Sequence, residues 1–395
     1  MTLADRLNET QIDEPTARGH KFGDFTLQPA PHDQNTFTVT ATSGVELETE
    51  ADWSQFVTDN GGKIVPGYRI RLVEMRHNTH GWTRAKEGQK ATTQGTWFYR
   101  FMVEPISARV DVEDLLGRIG KAKKRNDTPA LGGSGVYNWI AGDLQLGKSD
   151  GDGSEGIVAA LVGSIDAAVL DFKRLGGSKR FGIVHLGFLG DCGEGNQSQG
   201  GRNMWRTDLT VTEQYRIFRR VMLYAIDAFR QRVNAIEVDV VNGNHDEVQR
   251  FQSTREDDGH ATESAIALRD ALELNPDAYS HVSVFVPNKD EATITRPVGD
   301  TVMTMTHGHK WRRGKAFDWW AGQSLNWHAP GASQMLLHGH EHEFHVNAKR
   351  ERTVICCPSF ESESTWWRHK TGDVGKRGAV VFTSAAGEFS DMRII

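Results

Sequence analysis

Residues that could bind a metal ion follow several short apolar runs that we predict to be buried strands. They stand in Gly-containing motifs that read, in chain order, GDLQ, GD, GNHDE, THG and HGHEH. A strand that ends at a tight turn can direct a polar side chain into the crevice at the edge of its sheet, so several such ends side by side form a cage of oxygen and nitrogen donors. The candidate ligands are Asp143, Gln145, Asp191, Asn244, His307, His340 and His342.

The composition favours a metal site built from nitrogen and oxygen ligands. The chain of 395 residues has 16 His but only 3 Cys, which are too few for a disulfide framework. Asp and Glu (52) outnumber Lys and Arg (46), so the formal net charge is -6. This charge excludes a strongly basic, histone-like nucleic-acid binder, but it does not exclude a nuclease, because bound divalent cations can reverse the sign of an acidic site.

The elements that must position these residues alternate between strands and helices. Apolar runs predict strands at residues 136–141, 181–189, 236–241, 302–306 and 335–337. Thr210 and Glu213 have the spacing of a capping box, which predicts the start of a helix. This alternation indicates an α/β domain, in which ligands collect beyond the carboxyl ends of the strands. We predict that His185, which lies inside a strand, is a hydrogen-bonded core residue.

The first third of the chain has a different pattern. Alternating runs at residues 36–40, 68–73 and 97–101 predict a small β-rich domain over residues 1–120, whose role no motif indicates. A charged and then Pro- and Gly-rich linker is predicted at 121–135, followed by the catalytic domain at 136–395. The sequence shows no long apolar segment and no secretory signal, so we expect a cytoplasmic location and no membrane association; it does not indicate protein partners.

In their order and strand-end context, the five motifs resemble those of the calcineurin-like metallophosphoesterases. The resemblance covers about residues 136–395. The sequences of segments such as GDLQLGK and WWAGQS are also similar to those of metallophosphoesterases of actinobacterial phages, which are often labelled nucleases. It implies a four-layer α/β/β/α sandwich, here with the small β-rich N-terminal domain added. If the chain is phage-encoded, the location would be the host cytoplasm.

The resemblance also implies a centre with two divalent metal ions, for which manganese is the first expectation and iron, zinc or nickel are alternatives. The first metal would be held by Asp143, Gln145, Asp191 and His342, and the second by Asp191, Asn244, His307 and His340. Gln145 departs from the family pattern, which usually has His there. Because an amide oxygen is a weaker donor than imidazole, this replacement leaves the identity of the first metal open.

A two-metal centre would lower the pKa of a bridging water, so that hydroxide attacks phosphorus near neutral pH. The resemblance places His245 as the general acid that protonates the leaving group, with Asp246 as the residue that orients it. We therefore expect a phosphodiester hydrolase that acts on nucleic acid, most plausibly a nuclease. A small-molecule or cyclic-nucleotide phosphoesterase is the alternative, and a non-catalytic metal-binding scaffold is a further one.

Basic and aromatic residues alternate directly after His307. We expect Lys310, Trp311, Arg312 and Arg313 to contact substrate, because basic side chains bind phosphates and aromatic rings stack on bases. The structural alternative is that the tryptophans of this segment belong to the core while the charged residues form a solvated face. The sequence alone does not separate these two interpretations.

Overall fold

The computed structural model describes residues 26–30, 33–43, 47, 50–59, 68–82, 93–105, 112–125, 133–197, 206–249, 254–364, 368–369, 372 and 375–395. The chain divides into two compact units, residues 1–109 and residues 110–395. Within the described residues, no helix has the length and apolar character needed to cross a membrane.

The smaller unit contains one antiparallel sheet and one described helix. Its elements are β1 (Thr26–Ala30), β2 (Asp33–Ser43), α1 (Glu50–Asp59), β3 (Tyr68–Trp82) and β4 (Thr93–Pro105). The strand order is β1-β2-β4-β3. Val57 of α1 packs with Ile70, Tyr99 and Phe101 of the sheet, which gives this unit a small apolar core of its own. Its β-rich character agrees with the period-2 patterns of the sequence.

The larger unit is a mixed α/β structure with two sheets. Its elements are α2 (Val112–Lys121), β5 (Gly135–Ala141), α3 (Gly153–Arg174), β6 (Phe181–Leu189), α4 (Val211–Phe229), β7 (Ala235–Val241), α5 (His260–Leu272), α6 (Pro276–Tyr279), β8 (Val282–Phe285), β9 (Thr293–Val298), β10 (Thr301–Thr306), α7 (Ala316–Leu325), β11 (Met335–His338), β12 (His345–Lys349), β13 (Arg352–Cys356), β14 (Val380–Ala385) and β15 (Glu388–Ile394). The five strands predicted from this part of the sequence correspond to β5, β6, β7, β10 and β11.

Both sheets of the larger unit combine parallel and antiparallel pairs. The first has the order β15-β14-β5-β6-β7-β8, in which β5 to β8 are parallel and β14 is antiparallel to β5. The second has the order β12-β13-β11-β10-β9, in which β10, β11 and β13 are parallel. Parallel strands require crossover connections, and α3, α4 and α5 provide them for the first sheet.

The buried side chains define four layers. Apolar residues of α2 to α5 pack against one face of the first sheet. The opposite face packs against the second sheet through residues such as Ile140, Met303 and Leu337. Leu336 alternates with Leu337 along β11 and packs on the outer side against Trp320 of α7. The order helices, sheet, sheet, helix confirms the predicted four-layer architecture.

Two local features of the larger unit follow directly from the sequence. Glu213 N donates to Thr210 Oγ1 at 3.3 Å while Thr210 N donates to the Glu213 carboxylate at 2.9 Å, which is the predicted capping box of α4. The His185 ring is fully buried, and its nitrogens lie 2.9 Å from Asn138 Oδ1 and 2.7 Å from Asp239 Oδ2. The prediction of a hydrogen-bonded core histidine is therefore confirmed.

Helix α2 packs with the larger unit, although the sequence interpretation had assigned it to the N-terminal domain of residues 1–120. Leu115 and Ile119 are 6% and 1% exposed and join the core formed by α3 to α5. Beyond the helix, Arg125 N donates to Asp277 O at 3.0 Å and its guanidinium donates to Val233 O at 2.8 Å. The apolar stripe of α2 needs this surface to be buried.

Candidate metal centre

The candidate ligands lie where the carboxyl ends of strands from both sheets meet. Backbone hydrogen bonds join these strand-end segments: Asp143 N donates to Gly190 O at 3.1 Å, and Gln145 N donates to Asp191 O at 2.8 Å. In the second sheet, Gly339 N donates to His307 O at 3.0 Å. The residues at the ends of β5, β6, β10 and β11 are therefore held in fixed relative positions.

The backbone at these strand ends adopts an unusual conformation. Five of the ten described non-glycine residues with positive φ are candidate ligands, namely Asp143, Gln145, Asp191, His340 and His342, with φ between 47° and 67°. The left-handed region disfavours residues that have a Cβ, and such strain concentrates at functional sites. At these strand ends the fold therefore maintains an unfavourable left-handed backbone conformation at five candidate ligands.

Motif glycines allow the backbone to approach the carboxylates closely. Gly339 has its α-carbon beside Asp143, and a Cβ at that position would lie 2.6 Å from Asp143 Oδ2. A Cβ on Gly243 would overlap the carboxylate of Asp191. The same carboxylates accept backbone hydrogen bonds at 2.7 Å, Asp143 from His340 N and Asp191 from His245 N. A side chain at either glycine would displace a candidate ligand.

Three of the predicted ligands surround the Nε2 atom of His307, itself the fourth member of this group. This atom lies 3.2 Å from Asp191 Oδ2, 3.2 Å from His340 Nδ1 and 3.2 Å from Asn244 Oδ1. The other ring nitrogen of His307 donates to Leu189 O at 2.8 Å, which directs Nε2 toward the cluster. Asp191, His307 and His340 form a candidate metal-binding group, with one ligand atom each within 4.8 Å of the others.

The remaining predicted ligands form a second group around Asp143. His342 Nε2 lies 3.3 Å from Asp143 Oδ1 and 3.2 Å from the amide nitrogen of Gln145. His342 Nδ1 faces the carboxylate of Glu361 at 2.6 Å. The Asp143 and Asp191 groups are linked because His307 Nε2 lies 4.0 Å from Asp143 Oδ1. The structure thus brings all seven predicted ligands close together, with Asp143, Gln145 and His342 in one group and Asp191, Asn244, His307 and His340 in the other.

The amide oxygen of Gln145 faces a cation of the protein. Lys148 Nζ donates to Gln145 Oε1 at 2.8 Å and also forms a buried ion pair with Glu361. Glu361 therefore links Lys148 to the ring of His342. The amide oxygen of Gln145 therefore already accepts a hydrogen bond from a buried cation within the protein.

His245 lies at the edge of the cluster. Its Nδ1 donates to Glu194 O at 3.0 Å, and its Nε2 points inward to lie 3.8 Å from Asp191 Oδ2. Burial would lower the pKa of His245, but the carboxylates of Asp191 and Glu194 raise it to about 9. In the metal-free protein the ring therefore carries a proton at neutral pH, with one N–H directed toward the candidate ligands.

Asp246 is not positioned as the sequence interpretation expected. Its carboxylate accepts hydrogen bonds from Cys192 N at 3.1 Å, from Gly243 N at 2.7 Å and from the Tyr215 hydroxyl at 2.8 Å. It thereby joins the segments after β6 and β7 to α4. The His245 ring is instead held by Glu194, because the side chains of adjacent residues at this turn point in different directions.

The charges of the cluster are strongly coupled. Burial opposes ionisation of Asp191, yet His307 and His245 hold its pKa well below the usual range. Burial would lower the pKa of His307, but Asp191 raises it to about 9, and Asp143 together with Glu361 raises that of His342 to about 10. In the metal-free protein, protons on these imidazoles balance the buried carboxylates.

The donor set fits divalent cations. Asp143 Oδ1 is fully buried and has no hydrogen-bond partner among the described residues, although it faces two imidazoles. A buried polar atom without a partner is costly, and a cation in the crevice would satisfy it. Carboxylate, amide and imidazole donors suit borderline metals such as manganese, iron, zinc and nickel.

The basic and aromatic segment after His307 is largely engaged within the protein. Trp311 packs against Trp319 at 4.8 Å between ring centroids, in the small core beneath α7. Lys310 pairs with Glu256 at 2.7 Å, and Arg313 pairs with Glu343. Arg312 is exposed. The packing of Trp311 agrees with the structural alternative, whereas nucleic-acid contact by the basic residues stays a prediction.

Three residues of the centre were missed by sequence reasoning. Glu194 stands in the GDCGEG motif, so its place three residues after Asp191 was an available signal. Lys148 and Glu361 are 213 residues apart and belong to no recognisable motif. Only their meeting beside His342 shows that they belong to the site.

Comparisons with known proteins found no matching family model and no match among curated proteins. Among solved structures, the chain is similar to an archaeal phosphodiesterase at 15% identity, with a TM-score of 0.30 over 66% of this chain and 99% of that one. A predicted phosphoesterase from Streptococcus pneumoniae TIGR4 shares 14% identity, with a TM-score of 0.22 over 42% of this chain and 76% of that one. Vps29 of Entamoeba histolytica in complex with zinc shares 12% identity, with a TM-score of 0.27 over 66% of this chain and 98% of that one.

Proposed function

We propose that this protein is a divalent-metal-dependent phosphodiester hydrolase of the calcineurin-like metallophosphoesterase family, acting on nucleic acid. The observation that carries the proposal is the convergence of seven predicted ligands in one crevice, with the protonated ring of His245 at its edge. The four-layer architecture and the order of the motifs support the family assignment. The low similarity of the solved structures contributes nothing to it.

The residues fall into two sets that would each hold a metal ion, with manganese as the proposed occupant. Asp143, Asp191 and His342 form one set, to which Gln145 adds a weak donor, and Asp191, Asn244, His307 and His340 form the other. Two bound cations supply an activated nucleophile and neutralise charge on the phosphoryl oxygens. Asp191 would be common to both sets, as the resemblance implies; its Oδ2 atom lies 3.2 Å from His307 Nε2.

The protein's own contribution to the reaction is to hold a proton where the leaving oxygen departs. His245 keeps Nδ1 bonded to Glu194 O, so the proton on Nε2 is the one that faces the crevice. The leaving oxygen takes that proton as its bond to phosphorus breaks. Lys148 and Glu361 keep the His342 ring in place while this occurs.

The substrate class rests on the residues at the rim. Lys310 and Arg312 are exposed and lie three and five residues after His307, where they would contact successive phosphates of a strand. A compact substrate such as a cyclic nucleotide is the second candidate, because a small pocket beside the centre is lined by Asn242, His309 and Lys310. Both candidates use the same metal centre.

Metal-stripped protein reloaded with manganese tests the proposal. We expect hydrolysis of bis-p-nitrophenyl phosphate, which Asp191→Asn abolishes, and cleavage of labelled single- or double-stranded DNA. If cyclic nucleotides are cleaved while DNA stays uncut, the substrate is a small nucleotide and not a nucleic acid. Stoichiometric metal binding without hydrolysis of any of these esters would refute catalysis and support a metal-binding scaffold.

A further inference from the structure

A second group of potential metal ligands lies across the strands of the second sheet. Cys356 of β13 is directly opposite His338 of β11 on one side and His345 of β12 on the other. Residues that pair in this way project from the same face of a sheet, so the three side chains form a row. One ligand atom of each lies within 4.8 Å of the other two.

This row is on the outer face of the sheet, away from the interface between the sheets. His338 and Cys356 have the same alternation as Leu336 and Val354, which pack beneath α7. The residues that face the first sheet, such as Leu337, alternate with them. The group is therefore separate from the ligands of the proposed catalytic centre, which follow the strand ends.

The ring of His338 is prepared to accept a metal ion. Its Nδ1 donates to Gly339 O at 2.9 Å, which leaves the lone pair on Nε2. Nε2 is buried and has no hydrogen-bond partner among the described residues, and the whole residue is 0% exposed. The contacts of Cys356 Sγ are weak and long, at 3.7 Å to Gly339 O and 3.8 Å to Cys357 O. The row thus combines an orphaned imidazole nitrogen with a thiol that lacks a strong partner.

A carboxylate is within reach of a fourth position. Glu341, Glu343 and His345 form an overlapping candidate group, and Glu341 Oε2 is buried without a hydrogen-bond partner among the residues described. Donors around a tetrahedral zinc ion lie about 3.5 Å apart, so the three atoms of the row would need to approach one another by at most about 1 Å. Rotation of the half-buried His345 side chain can provide this movement.

We propose that His338, His345 and Cys356 form a sulfur-containing Zn²⁺ site that anchors the loop between β11 and β12. Two imidazoles and a thiolate are a ligand set that zinc favours, and binding releases the thiol proton to solvent. His338 and His345 bracket residues 339–344, the loop that carries His340 and His342. A zinc ion there would hold both ends of the loop that presents two ligands to the catalytic centre.

Cobalt substitution tests this site because only a thiolate ligand gives cobalt an intense near-ultraviolet charge-transfer band. The proposed catalytic centre contains no sulfur ligand. We expect the full chain loaded with Co²⁺ to show the band, Zn²⁺ to remove it, and Cys356→Ala to lack it while retaining one zinc ion fewer than wild type. Cys357→Ala is the matched control, since this adjacent buried thiol faces the sheet interface, and it should keep the band.

The wild-type spectrum alone can overturn the inference, so the test does not depend on the folding of a variant. A cobalt-saturated protein without a thiolate band, or a band that persists in Cys356→Ala, refutes the site. Hydrolysis of bis-p-nitrophenyl phosphate is measured in parallel. Hydrolysis without the band refutes only the zinc site, and the band without hydrolysis refutes only the proposed catalytic function.

Discussion

Individual histidines of the centre are oriented through the nitrogen that points away from it. His307 donates Nδ1 to Leu189 O, His342 has Nδ1 against Glu361, and His245 donates Nδ1 to Glu194 O. In each case the inward atom is Nε2, so a backbone carbonyl or carboxylate determines which nitrogen is presented. His245 shares this arrangement with the two histidines that would bind metal, so its inward Nε2 atom is held in place in the same way.

Replacing His245 by Asn should lower kcat in a way that depends on the leaving group. Protonation matters most for an alkoxide, so we expect a loss of about 10²–10⁴-fold with an alkyl phosphodiester and a much smaller loss with a p-nitrophenyl ester. Steady-state kinetics on the two esters measure the difference, and metal content serves as the control. Equal losses with both esters would contradict the role of His245 as a proton donor.

Metal binding should release protons and strengthen as the pH rises. In the metal-free protein the pKa values of His307 and His342 are about 9 and about 10, so both rings are protonated at neutral pH. A metal ion requires the neutral ring, so its apparent affinity should increase from about pH 6 to about pH 9. Calorimetric titration with Mn²⁺ in buffers of different ionisation enthalpy counts the protons. An affinity that is constant over this range would contradict protonation of both rings in the metal-free protein.

At the scale of elements, the strand-end segments concentrate strain that the packed sheets support. Five of the left-handed residues and the close glycines Gly243 and Gly339 occur just after the ends of β5, β6, β7 and β11, whereas the strands themselves are largely buried. The sheets thereby maintain a local geometry that an isolated loop would not keep.

Substituting a motif glycine should weaken metal binding even though no ligand is removed. Gly339→Ala would place a Cβ 2.6 Å from Asp143 Oδ2, and we expect manganese affinity to fall by about 10–100-fold. Gly322→Ala in α7 is the control, since an added Cβ meets nothing within 4 Å; it should leave affinity unchanged and stabilise the helix by about 0.5–1 kcal/mol. Unchanged affinity in Gly339→Ala would show that the loop tolerates the shift.

The two sheets are also joined by a buried ionic network. Arg296 of β9 donates to Asp239 of β7 at 2.8 Å and 2.9 Å, and Asp239 also contacts His185. Arg296→Met would leave a fully buried carboxylate without its guanidinium, so we expect a loss of about 3–5 kcal/mol in the free energy of unfolding. Urea denaturation measures it. Arg255→Met is the control, because it removes an exposed ion pair with Asp257 and should leave the free energy of unfolding unchanged. Similar losses of unfolding free energy in both variants would contradict the importance of burial.

At the scale of the whole molecule, every residue of both proposed metal sites lies in the unit of residues 110–395. The apolar clusters of this unit include Leu115 and Ile119 of α2. Metal binding and hydrolysis should therefore require this unit, while the role of the smaller unit stays open.

Two shortened chains should differ in stability according to whether they contain α2. A chain of residues 110–395 should fold and bind manganese, whereas a chain of residues 136–395 exposes the surface beneath Leu115 and Ile119. Without Leu115 and Ile119, the shorter chain should lose about 1.5–3 kcal/mol of the free energy of unfolding for each of these buried side chains. Thermal unfolding compares the two chains. Equal stability would mean that α2 is dispensable and would favour the boundary expected at residues 121–135.

The sequence by itself identified the seven candidate ligands, His245 and the strands that precede them. These are local properties, because apolar runs and strand-end motifs are read within a few residues of each other. Only the tertiary structure decided which distant groups support them. Lys148 reaches Glu361 across 213 residues, Cys356 lies between two histidines of neighbouring strands, and Trp311 packs, partly buried, against the apolar cluster beneath α7. Such pairings arise from sheet order and layer packing, which no local pattern in the chain records.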